Sequence, residues 1–178
     1  MRIAVGADHA GYALKEKIKF HLEGLGHAVE DCGTASSDSC DYPDFAHVVA
    51  CRVAAGAAQR GILICGSGIG MAIAANKTPG IRAANISSEY EARMSREHND
   101  LNVLTMGARI IAEEQAMAIV DVWLHTHFAG GRHEQRLKKL AALESPESLA
   151  EAAESLAGSQ VRIGGEKIVP ITPREGVK

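Results

Sequence analysis

Cys65 and the glycines that follow it form the most reactive-looking stretch of this sequence. Cys65 ends the apolar run "GILIC", and Gly66, Gly68 and Gly70 come directly after it. Such a turn places several peptide N–H groups at the start of a helix, where they stabilise an anion. A thiolate facing this oxyanion site could remove a proton from a carbon next to a carbonyl. The alternative is that Cys65 is a small buried residue and the glycines only permit a tight turn.

Further candidates for chemistry lie in three other segments. Asp8 and His9, in "ADHAGY", follow the first apolar run, although Asp8 would also suit a helix cap. His98 lies near a predicted helix C-terminus, a position that suits a general acid. Arg132 and Arg136 are four residues apart, on one helical face, and their guanidinium groups suit phosphate. For His98 and the two arginines, a solvated surface position is the alternative.

The spacing of these residues excludes several familiar sites. A nucleoside-triphosphate loop would need lysine after Gly11, where the chain has Tyr12. A dinucleotide-binding fingerprint that begins at Gly66 would need a third glycine at Met71. A cysteine-phosphatase loop would need arginine at that same position. No C-x-x-C pair is present, and His125 and His127, two apart on a helix, do not share a face for a metal.

Strand-like runs that alternate with helical patterns must position these groups. Strands are predicted at Arg2–Val5, His27–Cys32, Gly61–Cys65, Ile81–Ile86 and Asn102–Gly107. Helices are predicted at Leu14–Leu25, Pro43–Gly56, Gly70–Lys77, Ser88–Glu97 and Glu113–Phe128. The alternation indicates an α/β domain with a doubly wound, five-stranded parallel sheet. A ligand should bind beyond the carboxyl ends of the strands, which predicts a site made of the loops Gly6–Gly11, Cys65–Gly70 and Gly107–Ile110.

Composition limits the classes of partner. A net charge of −3 and 4% aromatic residues argue against nucleic acid, and the absence of eighteen consecutive apolar residues argues against a membrane span. The first apolar run is too short for the core of a signal peptide. Together with four cysteines that form no pair motif, this predicts a protein of the reducing cytoplasm.

The last 34 residues read as an appendage to a domain that covers residues 1–144. Ser145 and Pro146 predict the start of a short helix over "SPESLAEAAESLAG". Gly164 and Gly165 lie between two β-like runs, which predicts a small hairpin. The segment 145–178 has little apolar bulk, and nothing in its sequence indicates a role.

Five motifs, in order, resemble the type B ribose-5-phosphate isomerases, within a wider family that includes galactose-6-phosphate isomerase. The motifs are "DHAGY", "GILICGSGIGMAIAANK", "GIRAA", "SREHNDLNVLTMGAR" and "GGRHEQR". The resemblance runs from Arg2 to about Glu144, so it covers all of the domain and none of the extension.

The resemblance implies an aldose–ketose isomerase that uses neither metal nor cofactor and acts on a phosphorylated sugar. It implies a flavodoxin-like, Rossmann-like three-layer sandwich, and a homodimer, possibly a tetramer, whose sites are shared between subunits. Cys65 matches the proton-abstracting base and His98 the acid that opens the sugar ring, with Ser67 adding a hydroxyl. The remaining matched substrate contacts are Asp8, His9, Gly66, Gly68, Ile69, Gly70, Asn99, Arg109, Arg132 and Arg136. Met71 fills the position where another branch of the family has a glutamate base.

Three alternatives remain at this point. The substrate could be a six-carbon sugar phosphate such as allose or galactose 6-phosphate, since the groups that handle C1, C2 and phosphate would be the same. A nucleotide- or flavin-binding module with flavodoxin-like topology would share the fold, but it gives no reason for Cys65 or His98. A catalytically dead relative would not be expected to keep every matched polar position.

Overall fold

A computed structural model describes residues 1–145, 162–163 and 166–167. The predicted five-stranded, all-parallel sheet is confirmed, with helices on both of its faces. The strands of this sheet are β1 Arg2–Ala7, β2 Ala28–Asp31, β3 Arg60–Cys65, β4 Ala83–Asn85 and β5 Val103–Gly107. The helices among the described residues are α1 Tyr12–Gly24, α2 Tyr42–Ala54, α3 Ile69–Ala75, α4 Glu89–Asn99, α5 Glu113–His125 and α6 Arg132–Ala142.

The strand order across the sheet is β2-β1-β3-β5-β4. It differs from the flavodoxin order, 2-1-3-4-5, by the exchange of the last two strands. In the register of β3 and β5, Gly61 lies opposite Val103 and Cys65 lies opposite Gly107. Because β5 occupies the place beside β3, the chain that leaves β3 must pass over the end of β5 before it enters β4.

Two apolar clusters fill the space between the sheet and its helices. On one face, side chains of β1, β3 and β5 pack against α1, α4 and α5, around the fully buried Trp123. On the other face, the same three strands pack against α2 and α3. Cys65 and Met71 belong to this second cluster. The three layers therefore follow from strands that are apolar on both faces.

Several element ends differ from the prediction for local reasons. α3 ends at Ala75 because the side chain of Asn76 bonds to both backbone groups of Ala83, at 2.8 Å each, and draws the chain toward β4. β4 is shorter than predicted, at three residues. α5 ends at His125 because Thr126 is extended, with its hydroxyl bonded to the carbonyl of Val122.

The chain divides into two compact units, Met1–Glu134 and Gln135–Lys178. In the second unit, β6 Arg162–Ile163 pairs antiparallel with β7 Glu166–Lys167, which confirms the predicted β pairing there. The helix predicted from Ser145 onward lies outside the described residues, and the end of the isomerase domain at residue 144 stays a prediction. In the described part of the chain, no helix is long and apolar enough to cross a membrane.

A buried lysine ties the first helix to the segment after β2. Lys15 is 1% exposed, and its ammonium group donates to both carboxylate oxygens of Asp31, at 2.9 and 2.7 Å, and to the carbonyl of Thr34. Burial raises the pKa of Asp31, but hydrogen bonds from Lys15, Lys19 and the Gly33 amide outweigh it and hold this pKa below its ordinary value. The ion pair thus fixes the start of the loop that leads to α2.

We expect Asp31→Asn to lower the free energy of unfolding by about 2 kcal/mol near neutral pH, because Lys15 loses a charged acceptor. A carboxylate whose folded pKa is depressed stabilises the fold above its ordinary value of 3.8, and this contribution is lost as the pH falls through the lower folded pKa. Urea unfolding from neutral to acid pH should therefore show that the difference in free energy of unfolding between parent and variant disappears below about pH 4. Asp38→Asn, at an exposed carboxylate, is the control. An equal difference in free energy of unfolding at every pH would mean that the ionised form of Asp31 does not stabilise the fold.

Candidate active site

The three loops predicted to form the site do meet. They line a cleft of about 390 Å³ at the carboxyl edge of the sheet. Its lining residues are Asp8, His9, Ala10, Tyr42, Cys65, Gly66, Ser67, Gly70, Arg109 and Ile110. All of these except Tyr42 belong to the predicted loops. The rule that parallel sheets bind ligands at their carboxyl edge therefore located the cleft correctly.

The turn after β3 is fastened to the sheet through its carbonyl oxygens. The carbonyl of Cys65 accepts from the Ala108 amide at 2.9 Å, and that of Gly66 accepts from the Arg109 amide at 3.1 Å. The Ser67 carbonyl accepts from the side-chain amide of Asn85 at 3.1 Å. These bonds turn successive carbonyls toward the ends of β4 and β5, and the peptide N–H groups point the other way.

The amides of this turn have few partners within the protein. The Gly68 amide donates to the Cys65 sulfur at 3.1 Å. Within the described residues, the amides of Gly66, Ser67, Ile69 and Gly70 donate no backbone hydrogen bond. Three of these residues line the cleft. The predicted arrangement of a thiol beside a cluster of N–H donors is therefore present, with Cys65 5% exposed.

Gly68 is required by both its backbone angle and its surroundings. Its φ of +79° lies in the left-handed region that favours glycine. A Cβ atom there would overlap the side-chain oxygen of Asn85 and lie 2.7 Å from the backbone carbon of Met106. The Gly68 carbonyl also accepts from the hydroxyl of Thr105 at 3.0 Å. The turn therefore lies in direct contact with the end of β5.

Asp8 and His9 line the cleft from the loop after β1. One carboxylate oxygen of Asp8 accepts from the amides of Ala10 and Gly11, at 2.9 and 3.0 Å, so the residue does organise the turn before α1. Nδ1 of His9 accepts from the Cys40 amide at 3.2 Å. The same nitrogen lies 3.3 Å from the Cys40 carbonyl oxygen, to which it would donate in the other tautomer, so Cys40 orients the ring in either state.

Two residues of the glycine turn, Gly68 and Ile69, are absent from the cleft lining, as is Met71 just after the turn. Ile69 is 56% exposed at the start of α3 and is absent from the lining. Met71 is fully buried in the cluster between the sheet and α2. A methionine thioether cannot take up a proton, so Met71 gives this chain no second base.

His98 and Arg132 lie in a second cluster, apart from the cleft. His98 is the next-to-last residue of α4, and its ring stacks on that of His133, with centroids 4.3 Å apart. Nε of Arg132 lies 3.5 Å from Nε2 of His133. Asn99 and Arg132 are exposed, and Arg136 is an exposed residue of α6 in the second unit.

The second cluster and the cleft lie at opposite edges of the sheet. The end of α4 leads into the first residue of β5, whereas Cys65 lies opposite Gly107, the last residue of β5. The five residues of β5 span roughly 13 Å from first to last. One chain therefore cannot bring the ring of His98 to the sulfur of its own Cys65.

The end of α4 is fixed by residues that were not predicted from the sequence. Asp100, with φ +43°, is the one non-glycine residue with positive φ among the described residues, and it ends the helix in the left-handed conformation. Arg82 and the 4% exposed Arg96 donate to its carboxylate at 2.9 and 2.7 Å. These ion pairs fix the end of α4 that carries His98.

Three further residues around the cleft were not predicted from the sequence. Tyr42 lines it from the start of α2, and Asn85 and Thr105 bond to the glycine turn. Asn85 and Thr105 are polar residues at the carboxyl ends of predicted strands, a signal that could have identified them. No group of three or more His, Cys, Asp or Glu side chains within the described residues is arranged to hold a metal ion.

Comparisons of sequence and of structure with known proteins identify the same family. A family model described as Ribose/Galactose Isomerase matches residues 3–140. The chain is 50% identical to ribose-5-phosphate isomerase B of Escherichia coli over 143 residues, which cover 80% of this chain and 96% of that protein. It is similar in structure to ribose-5-phosphate isomerase B of Clostridium thermocellum, with a TM-score of 0.80 and 51% identity over 81% of this chain and 97% of that one. The Mycoplasma genitalium ribose-5-phosphate isomerase B, crystallised with bound ribulose-5-phosphate, has a TM-score of 0.78 and 39% identity, over 80% and 95% of the two chains.

We expect Gly68→Ala to lower the free energy of unfolding by about 2 to 5 kcal/mol. The backbone angle accounts for about 1 to 2 kcal/mol, and the collision with Asn85 and Met106 adds about 1 to 3. Gly80→Ala is a matched control, because Gly80 also has φ +79° but has open space around its Cα. Chemical unfolding of both variants separates the two effects. Equal losses would mean that the turn does not press against β5.

Proposed function

The chain belongs to the ribose/galactose isomerase family, and we propose that it interconverts ribose 5-phosphate and ribulose 5-phosphate through an enediolate. It is an aldose–ketose isomerase, a class that moves a proton between two adjacent carbons. The observation that carries the proposal is the turn Gly66–Gly70, whose N–H groups lie beside the Cys65 sulfur. The named relatives that share this chain's family are ribose-5-phosphate isomerases B.

In the proposed reaction, Cys65 acts as the base. Its thiolate removes the proton from C2 of the open-chain aldose, and the electron pair moves to O1 to form the enediolate. The unpaired amides of the turn, with the hydroxyl of Ser67, stabilise the negative oxygen because they are already oriented when the charge develops. The proton then passes from Cys65 to C1, and the proton of the C2 hydroxyl goes to O1, which leaves the ketone at C2.

Ring opening is assigned to His98 of a second copy of the chain. His98 would donate a proton to the ring oxygen and so expose the aldehyde at C1. Since His98 and Cys65 of one chain are separated by the length of β5, a complete site needs a homodimer with shared residues. Ile110 lines the cleft, and Ile69 and Ile73 lie one turn apart on α3, which begins within the glycine turn; all three are 56 to 65% exposed. An exposed apolar patch of this kind suits contact with a second copy.

The phosphate is assigned to arginine. Arg109 lines the cleft of one chain, and a Cβ atom at Gly66 would lie 3.4 Å from its guanidinium group. Arg132 and Arg136 of the second copy, with Asn99, would complete the contacts. Planar guanidinium groups bind phosphate oxygens in pairs, which orients the sugar as well as binding it. Asp8 and His9 would hold hydroxyl groups of the sugar.

A coupled assay of the purified full chain tests the proposal. We expect turnover of ribose 5-phosphate to exceed that of allose 6-phosphate and galactose 6-phosphate, with and without a chelator. Cys65→Ala should lower kcat by roughly 10² to 10⁴-fold, the usual contribution of a general base. Cys51→Ala, at an exposed thiol that does not line the cleft, is the control. Activity that a chelator abolishes, or that survives in Cys65→Ala, would contradict the mechanism.

Mixing two inactive variants tests the shared site. Cys65→Ala and His98→Ala should each be inactive alone, whereas a mixed dimer keeps one site with both groups intact. Random exchange should then restore about one quarter of the parent's activity, since half of the dimers are mixed and each has one working site of two. Two different affinity tags would measure the exchange. Demonstrated exchange without recovery would place both residues in one chain's site.

A further inference from the structure

The ring of Tyr42 lines the cleft beside Gly70. A Cβ atom at Gly70 would lie 2.7 to 2.8 Å from two of its ring carbons, so the ring rests against the bare backbone of Gly70. The residue is 38% exposed, and among the described residues no hydrogen bond joins its hydroxyl to another side chain or to the backbone. A ligand that fills this end of the cleft therefore meets the ring.

Packed secondary structure holds this ring in place. Tyr42 is the first residue of α2, and Pro43 restricts the backbone just after it. α2 packs against α3 through the buried side chains of Val49 and Met71, among others. The chain that enters α2 is tied to the cleft through the bond from the Cys40 amide to His9. A wall supported in this way can exclude a longer ligand, whereas a mobile side chain would move aside.

The opposite end of the turn carries a different group. Arg109 lies beside Gly66, and Tyr42 lies beside Gly70. Between them, the Gly68 amide binds the sulfur of Cys65. In order along the turn, the groups in contact with it are therefore a guanidinium group, which suits phosphate, the thiol, and an aromatic ring. The distance available to a sugar chain between the two ends is fixed by the turn.

We propose that Tyr42 sets the length of sugar that the enzyme accepts, and favours five carbons over six. The inference rests on the proposed function, in which Arg109 binds the phosphate and Cys65 removes the C2 proton. With the phosphate held, one additional carbon moves C1 and C2 away from Arg109 and toward the ring of Tyr42. The six-carbon sugar then either collides with the ring or reacts with its C2 displaced from the sulfur.

The test compares Tyr42→Ala, Tyr42→Leu and Tyr42→Phe with the parent. We measure kcat/KM for ribose 5-phosphate and allose 6-phosphate, and Kd for the unreactive ribitol 5-phosphate and allitol 6-phosphate. In Tyr42→Ala, the preference should move toward six carbons by about 10-fold or more, the usual discrimination for one carbon in a pocket. Tyr42→Leu should give a smaller shift in the same direction. Tyr42→Phe keeps the ring and should retain the parent's ratio within about two-fold. Circular dichroism verifies that each variant is folded.

Each outcome decides the inference. Ratios that stay at the parent's value in folded Tyr42→Ala and Tyr42→Leu would overturn it. A shift in Tyr42→Phe as large as that in Tyr42→Ala would also overturn it, because the hydroxyl and not the ring would then discriminate. If the parent turns over neither sugar, the proposed function fails. The Kd ratios then decide whether Tyr42 limits ligand length.

Discussion

The passage of the chain over the end of β5 is the constraint on which the candidate site depends. Because β5 lies between β3 and β4, the turn that leaves β3 must cross β5 to reach the far edge of the sheet. The Thr105 hydroxyl and the Asn85 side chain bond to the carbonyls of Gly68 and Ser67 and hold the crossing turn down. Once these carbonyls face the sheet, the peptide N–H groups face the cleft. The donors that the proposed chemistry needs are therefore a consequence of strand order.

The glycine turn passes so close to β5 that neither has room for a side chain where they touch, at Gly68 and Gly107. A Cβ atom at Gly107 would lie 2.7 Å from the carbonyl oxygen of Ser67, and one at Gly68 would collide with Asn85. The turn is confined from both sides, and Cys65 enters it from the fully buried end of β3. A base and its oxyanion donors must be placed to within about 0.5 Å for catalysis. Here that accuracy comes from the sheet, since side chains of β4 and β5 hydrogen-bond to the carbonyls of the turn.

The parts of this arrangement that could be predicted are those encoded by local pattern. The five strands follow from short apolar runs, and the meeting of three loops follows from the parallel direction of those strands. Strand order could not be predicted, because the runs that form β4 and β5 do not specify which one pairs with β3. The left-handed Asp100 was missed because its carboxylate is held not only by Arg96, one helical turn before it, but also by Arg82, which is 18 residues away in sequence. Tyr42 was missed because only the packing of α2 against α3 brings it to the cleft.

Because His98 and Cys65 of one chain lie far apart, the proposed chemistry needs two copies of the chain. The sheet separates the cleft from the cluster of His98 and His133, and no movement within one subunit closes that gap without breaking β5. Each half is nevertheless rigid by itself: hydrogen bonds to β4 and β5 fix the glycine turn, and two arginines fix the end of α4. Both sets of hydrogen bonds lie within one chain. In the proposed dimer, association therefore adds no new local structure and only brings together two preformed halves, so little conformational entropy opposes completion of the site.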